Sequence, residues 1–403
     1  MTKATFAIVG AGVAAATAAD TLRAGGFDGR LVMIGREADP PYNRPTLSKE
    51  RLRHEISDQQ TLMHPLEYYG SKEIELLLEH EVRRVNVQEN AIEFSTGSAL
   101  AYDRVLIATG GQLRYLTVPG GETQGVYYLR SLRDCRCLSD ALGQRPRVLV
   151  VGTGFIGCEV AASARTVGCD VTLVGNSAPL AHALGAEFGD LYAHYHRAQG
   201  VEVRIGTSVE RFEGTDRLKR AVLLDGTRVE CDVAVIGVGV APALEVLRNQ
   251  PVSIENGILV DEFCQTSAPR VFAVGDVACS WNPRYATRIR VEHFDNAQNQ
   301  AMVAAKAMLG PAEAYNPIPS FWSNQYSYNL QYRGYAPAWD SLAFRGNTRD
   351  ASFSAFYLKG GAIAAVCSLN RYKENYTAQR LIGKHIERRL LEDDRINVKE
   401  IEV

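Results

Sequence analysis

The chain of 403 residues contains no C-x-x-C pair. Its eight cysteines stand apart at positions 135, 137, 158, 169, 231, 264, 279 and 367. A redox-active dithiol, an iron–sulfur cluster and a structural zinc site each need closely grouped thiols, so all three are excluded and no metal site is expected. Cysteines this scattered read as reduced core residues, and Cys135 and Cys137 fall in an expected surface helix. An excess of one charge is also missing. The 44 Lys and Arg against 46 Asp and Glu leave a net −2, which excludes a globally basic surface for nucleic acid or an anionic membrane. No apolar run approaches the roughly 18 residues of a membrane span. Met1-Thr2-Lys3 leads directly into an apolar run, so a cytoplasmic protein without a leader is expected.

Glycine, by contrast, is patterned. Gly10-Ala11-Gly12-Val13-Ala14-Ala15 and Gly152-Thr153-Gly154-Phe155-Ile156-Gly157 each follow an apolar run, Phe6-Ala7-Ile8-Val9 and Val148-Leu149-Val150-Val151, and each leads into small residues. In that strand-turn-helix setting the first glycine makes a tight turn. The second lets backbone approach a pyrophosphate, and the helix N-terminus holds the anion. Two nucleotide sites are therefore expected.

Further apolar runs at 31–34, 105–107, 171–174, 233–236 and 271–274 supply the other buried strands of two βαβ units. The fold class is α/β, with two Rossmann-like nucleotide-binding domains in a glutathione-reductase-like arrangement and a C-terminal α+β domain. The expected boundaries are 1–112 with 246–318 for a discontinuous first domain, 113–245 for a second domain inserted into it, and 319–403 for the third. Aromatics open the third domain, among them Phe321, Trp322, Tyr326, Tyr328 and Tyr332. The segments 352–358 and 362–366, joined by Lys359-Gly360-Gly361, predict a hairpin. A basic helix is expected over 377–391.

At Pro41-Tyr42-Asn43-Arg44-Pro45-Thr46-Leu47-Ser48-Lys49 the chain resembles the FAD-dependent, NAD(P)H-linked ferredoxin reductases that serve Rieske oxygenases and bacterial cytochromes P450. Rubredoxin reductases and apoptosis-inducing-factor proteins are relatives of the same kind. The likeness runs through Ala108-Thr109-Gly110, Leu129-Arg130-Ser131-Leu132, Gly157-Cys158-Glu159, Val274-Gly275-Asp276, Glu292-His293-Phe294-Asp295 and Phe321-Trp322-Ser323-Asn324-Gln325. It implies FAD in the first unit, on Gly10, Gly12 and Ala15, with Glu37 as ribose acceptor and Arg44, Val82, Ala108, Thr109, Gly110, Arg130, Gly275, Asp276 and Phe294 as further contacts. A nicotinamide dinucleotide is implied on Gly152, Gly154, Gly157 and Gly237. Lys49 and Glu159 are implied to pair beside the reactive part of the flavin, and Trp322 to lie near its edge or to pack in the core.

One departure stands out. The strand Val171-Thr172-Leu173-Val174 ends in Gly175-Asn176-Ser177, without the acid that bonds an adenosine ribose or the arginine that meets a 2′-phosphate. Asn176 or Ser177 is left to bond the ribose, with Arg204 or His182 the nearest candidates for a phosphate. NADH is the expected coenzyme, with NADPH left open. The implied function is electron transfer from NAD(P)H through FAD to a small, acidic iron–sulfur ferredoxin. Its docking surface is expected to include some of Arg288, Arg290, Arg333, Arg371 and Lys373. A flavin-dependent reductase or oxidase of a small organic substrate, with Tyr326, Tyr328 and Tyr332 lining a pocket, is the alternative.

Overall fold

In the computed structural model, which describes residues 3–310 and 313–402, the two glycine fingerprints sit in two parallel sheets of matching topology. The chain divides into two compact units, one of residues 1–114, 130–135 and 240–317, the other of residues 115–129, 136–239 and 318–403.

In the first unit the central strand Thr5–Val9 pairs in parallel with Arg30–Ile34 on one side and Arg104–Ile107 on the other. Ile74–Leu77 and Val271–Ala273 extend the sheet at its two edges. These strands are continuous apolar runs because helices and a second layer cover both faces. Ile8, Leu31, Met33 and Leu106 pack with the helices Val13–Ala24 and Phe294–Leu309 on one side. Val9, Val32, Val105 and Ile107 pack with the 254–282 region on the other. The helix Val13–Ala24 approaches closely because alanines 14, 15, 16, 18 and 19 form its buried positions.

The second unit repeats the plan around Arg147–Val151, which pairs with Asp170–Gly175 and Val233–Ile236. Its edge strand Val126–Tyr128 precedes the fingerprint in sequence, whereas the equivalent edge of the first sheet, Val271–Ala273, comes last. Each unit also carries a three-stranded antiparallel sheet, Val82–Asn86 to Ala99–Ala101 and Val209–Gly214 to Arg228–Glu230.

The aromatic C-terminal segment forms a five-stranded antiparallel sheet within the second unit. Ser352–Lys359 and Ala362–Leu369 form the expected hairpin, with Gly360 and Gly361 at φ 56° and 82°, the left-handed values a two-residue turn requires. The expected basic helix over 377–391 is not continuous. Its helical residues are Tyr372–Ala378, the short turn Gln379–Leu381 and Arg388–Glu392. Gly383 breaks it at φ 88°, and the chain there bonds along the hairpin, from Gly383 N–H to the Ile363 carbonyl. Arg380 does not form an open basic face, because its guanidinium donates to the carbonyls of Val398, Lys399 and Ile401. In the helix Leu132–Leu142, Cys135 is buried and Cys137 exposed.

Candidate functional site

The two fingerprints share a construction in which each glycine has a different reason to be there. Gly10 and Gly152 adopt φ 123° and 113°, and a Cβ on either would lie 2.2 Å from a carbonyl oxygen, that of Ala108 or Gly237. Their N–H groups donate at 2.8 Å to Ile34 and Val174 in the neighbouring strand. The fold alone demands glycine at these two positions. At the third position the units differ: Ala15 is accommodated, but a Cβ on Gly157 would stand 1.9 Å from the Gly152 oxygen. Gly12 and Gly154 are unlike both. Each has an ordinary extended backbone, at φ −98° and −76°, and a Cβ on either would meet no protein atom within 4 Å. Neither helix carries a side-chain cap or an acid in its first turn, so the first N–H groups remain for an anion.

In the first unit a connected polar group has formed beside the cradle. Arg44, in the turn Arg44–Ser48, donates to Glu37 Oε1 at 2.9 Å and to the Arg130 carbonyl, and stacks over the Tyr42 ring at 4.8 Å. Tyr42 donates to the other Glu37 oxygen at 2.5 Å and accepts from the Leu132 N–H. Arg130 faces Asp276 Oδ2 at 3.5 Å and lies 3.4 Å from where a Gly110 Cβ would be. Burial, reinforced by the Arg44 guanidinium, lowers the pKa of Arg130 from its usual value. Thr109 Oγ1 donates to the Ala243 carbonyl. Gly275, at φ 76°, turns the chain into Asp276, and its N–H is held by Gln300 Oε1 at 2.8 Å. Val82 opens a half-buried strand, and Phe294 begins its helix. Tyr42 and Gln300 are members that sequence reasoning missed. Tyr42 lay inside the motif that led to Arg44, whereas nothing around Gln300 distinguished it. Lys49 is 5% exposed, a buried cation at the end of this turn.

In the second unit the strand end without an acid has a steric explanation. A Cβ on Gly175 would lie 2.7 Å from both Thr153 Cγ2 and Oγ1, so Thr153 fills the space a side chain at 175 would occupy. The first unit does the same with Gly35 and the Ala11 methyl, also at 2.7 Å. Arg204 is ion-paired with Glu202 at 2.6 Å. Glu159, on the helix Phe155–Thr166, is 4% exposed and accepts from Ser323 Oγ at 2.7 Å. Trp322 lies half-buried in the strand Ser320–Gln325, next to Phe321, which stacks on Tyr332 at 4.8 Å and meets Phe155 edge-on at 5.0 Å. Tyr326 and Tyr328 are likewise engaged by His196 and Tyr195.

Among the candidate docking cations, Arg290 is paired with Glu292, Arg371 with Asp394 and Glu374, and Arg288 donates to the Val260 carbonyl. Arg333 stacks over Tyr376 at 5.2 Å. Among the described residues no group of His, Cys, Asp and Glu is placed to hold a metal ion, and no helix is long and apolar enough to cross a membrane.

The chain matches the family described as pyridine nucleotide-disulphide oxidoreductase over residues 4–301, and that described as reductase C-terminal over 320–401. It is 36% identical to the 5,5′-dehydrodivanillate O-demethylase ferredoxin reductase subunit of Sphingobium sp., covering 98% of this chain and 97% of that one. It is 34% identical to putidaredoxin reductase of Pseudomonas putida, covering 98% and 96%. The reductase in the crystal structure of a covalent putidaredoxin reductase–putidaredoxin complex superposes with a TM-score of 0.96 at 33% identity, over 100% of this chain and 98% of that one.

Proposed function

The chain belongs to the pyridine nucleotide-disulphide oxidoreductase family and, within it, to the ferredoxin reductases of oxygenase and cytochrome P450 systems, and from that premise we propose how its residues divide the work. The activity is electron transfer from NAD(P)H through FAD to a small iron–sulfur ferredoxin. Residues 1–112 with 246–318 form the FAD-binding part, 113–245 the NAD(P)H-binding part and 319–403 the C-terminal module. Bound FAD supplies the chemistry, taking two electrons as a hydride and releasing them singly.

The protein's own contribution is position and electrostatics. Gly12 with the N-terminus of the helix Val13–Ala24 holds one pyrophosphate, and Gly154 with the helix Phe155–Thr166 holds the other. Glu37, Arg44, Arg130 and Asp276, already bonded to one another, need no reorganisation to meet the polar groups of FAD. Lys49 brings a buried positive charge that favours negative charge developing beside it. A cytoplasmic location belongs to the same reading.

One observation carries it: Gly12 and Gly154 have ordinary backbone angles and open space at Cβ, so neither is required by the fold, and each leaves room for a ligand. Anaerobic titration with NADH and with NADPH, followed through flavin absorbance, tests it. Flavin bleaching, with cytochrome c reduced only when ferredoxin is added, is expected. Rapid turnover with oxygen or a small organic acceptor alone would move the activity to the alternative class. Where cations steer an acidic ferredoxin, added salt should slow ferredoxin reduction while ferricyanide reduction changes little, and equal salt responses would remove the steering role.

A further inference from the structure

Behind Glu159 runs a chain of buried polar side chains that cofactor binding does not explain. Ser323 Oγ donates to Glu159 Oε1 at 2.7 Å, and Gln325 Nε2 donates to Ser323 Oγ at 3.2 Å. His196 Nε2 stands 3.0 Å from Gln325 Oε1, and His196 Nδ1 stands 3.0 Å from the Tyr326 hydroxyl. Ser323, Gln325 and His196 are at most 2% exposed.

The chain has only one consistent direction. A carboxylate oxygen only accepts, so the Ser323 hydroxyl must donate to it and receive from the Gln325 amide. That leaves Gln325 Oε1 as an acceptor, so His196 carries its proton on Nε2. A neutral ring then presents a lone pair at Nδ1, and Tyr326 donates to it. Burial lowers the His196 pKa to about 4 and raises that of the Tyr326 phenol, so both stay neutral at working pH. Every N–H and O–H along the chain thus points toward Glu159, and bonds aligned in this way polarise one another. The outer end is anchored at a cost in backbone freedom. Tyr326 and Ser327 form a two-residue loop between the paired residues Gln325 and Tyr328, and Tyr326 has φ 55°, where glycine, asparagine or aspartate is the usual choice.

We propose that Ser323, Gln325 and His196 are positioning residues, held from Tyr326, that fix the orientation of Glu159 for the coenzyme reaction. The inference rests on reading Glu159 as a residue of that reaction. The chain is not a proton wire, because the Gln325 amide neither gains nor loses a proton at neutral pH. Titratable groups that feel the Glu159 charge include Cys158 on its own helix and Tyr192 on the helix Ala186–Ala198, and burial keeps both protonated. Cys158, Arg165 and Tyr328 face Tyr326.

Nitrogen-15 NMR of the histidine rings in the holoprotein, with His196→Gln for assignment, tests the direction without reference to activity. A neutral Nε2–H tautomer from pH 8 to pH 5 is expected. An Nδ1–H tautomer, or a charged ring at pH 6, overturns the chain. The second measurement is the pH profile of anaerobic flavin bleaching by NADH. Ser323→Ala, which removes a donor to the carboxylate, should move the acid limb toward neutrality by about one pH unit. Tyr326→Phe should move it in the same direction by less. Both variants conserve shape and should stay folded with FAD retained, melting about a few degrees below the parent because each leaves a buried polar group without its partner. If Glu159→Gln slows bleaching while Ser323→Ala keeps the parent profile, the positioning role is overturned and the part played by Glu159 stands. If Glu159→Gln bleaches at the parent rate, it is that part which is overturned, and the tautomer still reports separately on the geometry.

Discussion

Gly154→Ala isolates the coenzyme from the fold. A methyl at 154 enters space with no protein atom within 4 Å, on a backbone at φ −76° that alanine adopts freely. Alanine is a poorer N-cap than glycine, but it also lowers the entropy of the unfolded chain by about 0.4–1 kcal/mol, so the two effects offset. The melting temperature should therefore stay within about 3 °C of the parent. A pyrophosphate crossing this position meets the methyl as overpacking, which costs about 1–3 kcal/mol. That range corresponds to a loss of roughly 5- to 150-fold in NADH affinity. Stopped-flow bleaching at increasing NADH reads the Kd directly, and flavin content reads the other site. Gly12→Ala should give the mirror result, with FAD retention weakened and NADH affinity spared in the fraction that keeps its flavin. An unchanged Kd in a normally folded Gly154→Ala protein would refute the reasoning, and loss of FAD from it would show that the two units had been assigned in reverse. Gly152→Ala and Gly157→Ala are poorer probes. Their methyls would strike carbonyl oxygens at 2.2 and 1.9 Å, so a lost site and a damaged fold would look alike.

Gly175→Asp alone forces its side chain into Thr153, whereas Gly175→Asp with Thr153→Gly opens the space. The double variant should gain NADH over NADPH by about 10- to 100-fold in the ratio of kcat/KM, the worth of one charged hydrogen bond, and equality of single and double variants would discard the steric argument. Lys49→Met should slow flavin bleaching and lower the flavin potential more than it weakens FAD retention, and unchanged kinetics would remove the electronic role of Lys49. His196 is buried and His293 half-buried, and desolvation lowers the folded pKa of each to about 4, so the unfolded chain binds more protons below about pH 6.5. Stability should accordingly be full above pH 6.5 and fall as pH drops toward 4, and a melting temperature that rises over that interval would contradict it.

The sequence by itself determined the parts that depend on neighbours along the chain. Fingerprints after apolar runs located both Rossmann cradles, because turn, strand and helix start are encoded within some ten residues. The ordered motifs identified the family, and scattered cysteines excluded a dithiol. Only the tertiary structure decided why each glycine is a glycine, since the collisions at Gly10 and Gly152 come from strands some 85–98 residues away in sequence. Packing likewise decided that Thr153 closes the strand end at Gly175, that Lys49 is buried, and that Arg380 serves carbonyls rather than solvent. The line from Tyr326 through His196 to Glu159 joins residues up to 164 apart, and no spacing in the chain reports it. Directional hydrogen bonds between buried groups form only once apolar packing has fixed where those groups stand.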